Sequence, residues 1–164
     1  MIKNIPSINE EHLNNLRAAS QNRGLWYYQL LKEAQRRGVD IDFARQGIRE
    51  VGHLNGHTKF PKTSNLREFI KAFMSETPRK MFEMELISLT DTEAHIEFHY
   101  CAMCAMWQNF EKENMDTDFI PYICDIAMEV DRGMFDTYDC FEFTLGDTIA
   151  AGKKTCQLCI RMVK

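Results

Sequence analysis

The chain has 164 residues, 45% apolar and 27% charged, which fits one globular domain with its own core and excludes a disordered tail protein. Its net charge of −4 is unevenly spread: the first 82 residues hold 14 Lys/Arg against 8 Asp/Glu, the remainder 6 against 16. The basic residues are interleaved with acids and form no compact run with aromatics, which argues against a nucleic-acid surface and for two halves of opposite sign packing together.

In chain order, Ser7-Ile8-Asn9-Glu10 fits a capping box, followed at helical spacing by Leu13, Leu16 and Ala19. A second helix is expected over Leu25–Arg37, with Leu25, Tyr28, Leu31 (and Leu30) and Ala34 on one stripe and Gly38 ending it. A third runs from about Ile41 to Val51, and residues 52–57, with two glycines and two histidines, read as a loop with surface histidines. A short helix over about 65–75 carries Leu66, Ile70 and Phe73. The character then changes. Residues 80–89 and 93–100 read as strands joined by Thr90-Asp91-Thr92, and in the second strand Ala94, Ile96, Phe98 and Tyr100 alternate with His95, Glu97 and His99. Cys101 opens a helix to about Glu111, and another starts near Pro121 and runs to about Asp131 or Phe135. Two closing strands, 139–149 and 155–163, flank Ala150–Lys154, with a helical turn near Gly146.

The sum is an α+β fold: N-terminal helices packed on a mainly antiparallel β-sheet with inserted helices, expected as a single domain over 1–164 with a helical part to residue 80 and a cysteine-rich, sheet-containing part from 81. The longest uncharged stretch, Phe98–Phe110, is too short to span a bilayer, and the opening residues lack the apolar run of a signal peptide. A soluble, cytoplasmic protein is expected.

All six cysteines lie between Cys101 and Cys159, and a reducing compartment keeps them as thiols. Cys101 and Cys104 sit at the start of a predicted helix, where unpaired N–H groups and the positive dipole end lower a thiol pKa; His99 is beside them. The same cysteines fit equally well as small buried hydrophobes. Cys156 and Cys159 form a second C-x-x-C, but a strand sends them to opposite faces, and the long separation of the two pairs argues against structural zinc. On the helix after Pro121, Cys124, Met128 and Asp131 share one face. Asp125, Glu129 and Arg132 share another, where solvated ion pairing is expected.

His99-Tyr-Cys101-Ala-Met-Cys104-Ala-Met-Trp107, Cys124-Asp125-Ile-Ala-Met-Glu129-Val-Asp131 and Thr148-Ile149-Ala150-Ala-Gly152-Lys-Lys-Thr-Cys156 together resemble the L-2-amino-thiazoline-4-carboxylic acid hydrolase family over about residues 95–164. Lys153 and Lys154 depart from the acidic residue usual after the closing glycine, which bears on substrate identity more than on fold. The resemblance implies hydrolytic opening of the thiazoline ring to N-carbamoyl-L-cysteine. Such a reaction needs a nucleophile, a proton carrier and a cation for the substrate carboxylate. It assigns Cys101 as nucleophile, His99 or Asp125 as proton carrier and Cys156 as a partner from the last strand, with Cys124, Trp107 and Asp131 contacting substrate. The family is distantly similar to vinyl-reductase-like domains, so the alternative is a non-catalytic small-molecule-binding domain. Soft thiolates favour zinc or iron, but no metal is assigned. The expected partner is a small-molecule substrate or ligand, with no nucleic acid and no membrane; a homo-oligomer is left open.

Overall fold

The computed structural model describes residues 4–110 and 118–163. Helix α1 spans Glu11–Arg36 without interruption, joining the two helices expected from the sequence. Leu13, Arg17, Ser20, Gly24, Tyr28 and Leu31 form its buried stripe, while Trp26 and Leu30 point outward. Gly24 costs about 1 kcal/mol inside a helix, but here its missing side chain admits a neighbour: a Cβ would lie 3.1 Å from the Met103 Cα. The Gly24 carbonyl accepts a 2.8 Å bond from the Trp107 indole. The expected capping box does not form. The N-cap Glu10 makes no side-chain capping bond, and Ser7 instead donates from its N–H and hydroxyl to Glu83.

After a single turn at Ile41–Phe43, α2 covers Ala44–Thr58, so residues 52–57 are helical and not a loop. The physical reason is long-range. Gly52 and Gly56 lie one turn apart on the face that meets α7 (Glu129–Phe135), where a Cβ on Gly52 would fall 2.3 Å from the Val130 carbonyl and one on Gly56 2.9 Å from that of Met134. Gly133 answers from the other side, 2.1 Å from the Arg49 carbonyl by the same construction. Backbone meets backbone here, and packing overrides the low helix propensity of glycine.

Helix α3 (Leu66–Phe73) buries Leu66, Phe69, Ile70 and Phe73, with Asn65 capping it through Glu68 N–H. Residues Glu76–Met81 form a short helix, α4, so the first strand begins later than expected, after Glu83 at a left-handed φ of 51°. Strands β1 (Met84–Leu89), β2 (Glu93–Phe98), β3 (Phe141–Leu145) and β4 (Cys156–Met162) make one antiparallel sheet in the order β1-β2-β4-β3. Between β2 and β3 come α5 (Ala102–Phe110), α6 (Phe119–Ala127) and α7, the last two separated at Met128; the expected helix end near Glu111 lies outside the described residues. A 3-10 turn at Ile149–Ala151 precedes β4. The fold is α+β, helices first and then a sheet with helices inserted.

Two apolar clusters result. One is the inner sheet face (Ala94, Ile96, Leu158, Ile160) under α3 and the end of α7. The other lies between α1, α5 and α6 around Trp107, Ile123, Ile126 and Cys104. Cys156 packs against both. No helix among the described residues is long and apolar enough to cross a membrane.

Candidate functional site

Cys101 follows β2 and precedes the first turn of α5. The backbone N–H groups of Met103 and Cys104 favour its thiolate, as N–H groups at a helix start can. Burial nevertheless raises its pKa by more than these N–H groups and the positive charge of Arg23 lower it. The expectation of a depressed pKa is therefore overturned: desolvation of a thiolate outweighs two N–H dipoles. Cys104, Cys124 and Cys156 converge on the same place, close enough that their charges would oppose one another and that of Cys101. All are free thiols, and burial pushes each up, Cys156 to about 12. The Cys156 sulfur also accepts a 3.3 Å bond from the Ile149 N–H. Helix start, helix middle and strand start thus bring four sulfurs into one neighbourhood.

The other residues assigned by resemblance are placed apart from that sulfur cluster or at its edge. His99 turns to Glu85 at 3.0 Å. Trp107 is fully buried between α1 and α5, its ring 5.8 Å from that of Tyr27. Asp125 is next to Cys124 in sequence but is held by Arg132 at 2.6 Å and Arg45 at 2.8 Å. Burial raises its pKa less than these guanidinium bonds lower it, leaving a carboxylate below its usual range. Asp131 lies on α7, where burial pushes its pKa up to about 6 against the pull of Arg132. Neither His99 nor Asp125 reaches the Cys101 sulfur.

The acidic face of α6 and α7 is not a solvated one. Buried Glu129 receives Arg49 and Arg132, each at 2.7 Å, and Arg45 at 3.3 Å. Asp136 takes Arg49 and His53, so His53 is a partner in this seam and its pKa is raised, first by Asp136 and then by Glu50. The basic first half and acidic second half meet here.

Two contributors escaped sequence reasoning. Asn4 pairs with Cys101 through both backbone groups, donating to its carbonyl at 2.8 Å and accepting from its N–H at 3.1 Å. The chain just after Asn4 is tied down by Glu83, which accepts from the Ser7 and Ile8 N–H groups and from buried Arg17. Arg23, on α1, reaches the Met103 sulfur at 3.7 Å and is the cation whose field reaches Cys101. No local motif marks either residue, because Asn4 arrives from 97 residues away and Arg23 from 80.

A family model described as L-2-amino-thiazoline-4-carboxylic acid hydrolase matches residues 19–160. No curated protein matches the chain. Twelve solved chains do, among them trafficking protein particle complex subunit 3 from Naegleria fowleri, covalently bound to palmitic acid. That structure is 11% identical, with a TM-score of 0.59 over 90% of this chain and 97% of its own; the likeness is one of fold.

Proposed function

This chain belongs to the L-2-amino-thiazoline-4-carboxylic acid hydrolase family, and from that premise we propose that it opens a 2-amino-thiazoline ring with Cys101 as the attacking group. The observation that carries the reading is the place of Cys101 directly ahead of α5, where the Met103 and Cys104 N–H groups favour negative charge on its sulfur. The thiol is protonated at rest, and among the described residues no side-chain base hydrogen-bonds it. The substrate itself supplies what is missing. Its amidine is basic, so the thiol proton passes to a substrate nitrogen as sulfur bonds to C2, and the C2–ring-sulfur bond then breaks to free the substrate thiol. Water adds to C2 of the resulting isothiourea, the bond to Cys101 breaks, the sulfur regains a proton, and N-carbamoyl-L-cysteine leaves. Arg23 supports the reading as the cation for the substrate carboxylate, with Cys124 and Cys156 lining the sulfur side. Asn4 is a positioning residue that fixes the Cys101 backbone.

A second reading is favoured by the raised thiol pKa values and by the solved relative that carries a fatty acid covalently: a non-catalytic binding domain in which Cys101 contacts or holds a ligand without turnover. Incubation with L-2-amino-thiazoline-4-carboxylate and mass-spectrometric assay for N-carbamoyl-L-cysteine decides between them. Cys101→Ser is expected to abolish product, and wild type quenched in acid to show an adduct of substrate mass on the Cys101 peptide. Binding without product in the wild type overturns the hydrolase reading.

A further inference from the structure

The outer face of the sheet, away from the sulfur cluster, carries a second constellation. Glu93 and His95 on β2 and Cys159 on β4 each offer one ligand atom, and the three atoms lie within 4.8 Å of one another. Strand register makes this possible: His95 stands directly opposite Cys159, and Glu93 opposite Arg161, so all share the face that the buried Ala94 and Ile96 leave to solvent. His95 bonds Glu93 through Nε2, the same atom that faces the Cys159 sulfur at 4.0 Å. The second carboxylate oxygen of Glu93 is taken by Arg161 at 2.5 Å. One oxygen is thus turned inward to the cluster while the other is anchored, the usual arrangement of a monodentate carboxylate ligand with an outer partner. A cavity of about 280 Å³ runs alongside, lined by His95, Thr144, Gln157 and Cys159.

We propose that Glu93, His95 and Cys159 form a binding site for a borderline divalent metal ion of the zinc type. A mixed set of thiolate, imidazole and carboxylate selects such ions over calcium or magnesium, which prefer oxygen alone. Three protein ligands leave the fourth tetrahedral position to water or a ligand entering along the cavity, the arrangement of an open site. Binding releases the Cys159 proton and replaces the His95–Glu93 hydrogen bond with two bonds to the ion, while the Arg161–Glu93 pair persists. Among the described residues this is the one set of three ligand-type side chains gathered at such distances.

Cobalt(II) titration of the full-length reduced protein tests the site, because a thiolate–cobalt bond gives an ultraviolet charge-transfer band and tetrahedral coordination gives visible bands. One equivalent is expected to bind, with zinc displacing it. Cys159→Ser should remove the charge-transfer band, and His95→Gln should weaken binding about 100-fold. Cys101→Ser and Cys156→Ser should leave the spectrum unchanged, which separates this site from the buried thiols. Arg161→Ala, by loosening Glu93, should cost about 10-fold in affinity. A band that survives Cys159→Ser, a titration unchanged in His95→Gln, or no cobalt uptake by the wild type overturns the proposal. Circular dichroism melts of both variants establish that they are folded.

Discussion

Cys124 and Asp125 are neighbours on one helix, yet their ionisable groups face different environments and shift in opposite directions. Cys124 faces an apolar interior of converging thiols, where desolvation dominates and every thiol pKa rises. Asp125 faces a seam of guanidinium groups, where ion pairing overcomes the same desolvation and the carboxylate pKa falls. Burial acts in the same direction on both. What differs is whether a hydrogen-bonding charge of opposite sign is within reach, and this decides which groups keep their charge at neutral pH.

The largest expected effect attacks the seam through its backbone. Gly133→Ala places a Cβ where the Arg49 carbonyl already stands, and because neither backbone can yield without moving its helix, a loss of about 3 kcal/mol or more is expected in urea unfolding. A loss below about 1 kcal/mol would show that α2 and α7 are not locked together. Next comes Glu129→Ala, which removes the buried acceptor shared by Arg45, Arg49 and Arg132. The guanidinium groups retain Asp42, Asp125 and Asp136, so the expected loss is about 2–3 kcal/mol, smaller than for a fully isolated buried pair.

Two aspartates sharpen the contrast by sign. Asp131 has a folded pKa raised to about 6, above its unfolded value of about 3.9. Its ionisation therefore opposes folding above pH 6 and has no effect below pH 4. Asp131→Asn is expected to stabilise the protein at pH 7.5 by about 1 kcal/mol and to lose that gain by about pH 4. Asp125 is the reverse: its folded pKa is lowered, so its contribution is present above the unfolded value and disappears as pH falls through the folded one. Asp125→Asn should destabilise at neutral pH and converge with wild type in acid. Chemical denaturation at three pH values reads both, and parallel stability curves would refute the assignment.

The smallest effect is kinetic. Iodoacetamide labelling of Cys101, quantified by peptide mass spectrometry, should be slower than that of a small free thiol at pH 7.5, with a midpoint above the reference of about 8.5. Added substrate, whose basic amidine takes up the thiol proton, should shift that midpoint down. A midpoint below 8 without substrate would mean that the helix N–H donors, not burial, control this thiol.

Much of the architecture was legible in the chain because it rests on short-range periodicity. The alternation of residues 94–98 set the inner and outer faces of β2, the strand geometry of residues 156–159 separated Cys156 from Cys159, and the opposite charges of the two halves anticipated a seam between them. Where the chain misled, a distant backbone or a desolvation cost was in control. Gly52 and Gly56 look like loop residues until α7 passes over them, and the two helices expected before residue 38 are one, Glu11–Arg36. Ser7 fits a cap until Glu83 claims it. The Cys101 thiol does sit at a helix start, as its place after β2 demanded, but the sign of its pKa shift depends on how much water the folded chain removes, and no local pattern encodes that. The sequence by itself determined which residues carry sulfur and charge and which face of each element they occupy. Only the tertiary structure decided which of them meet, because each meeting joins segments tens of residues apart whose mutual burial sets both their packing and their ionisation.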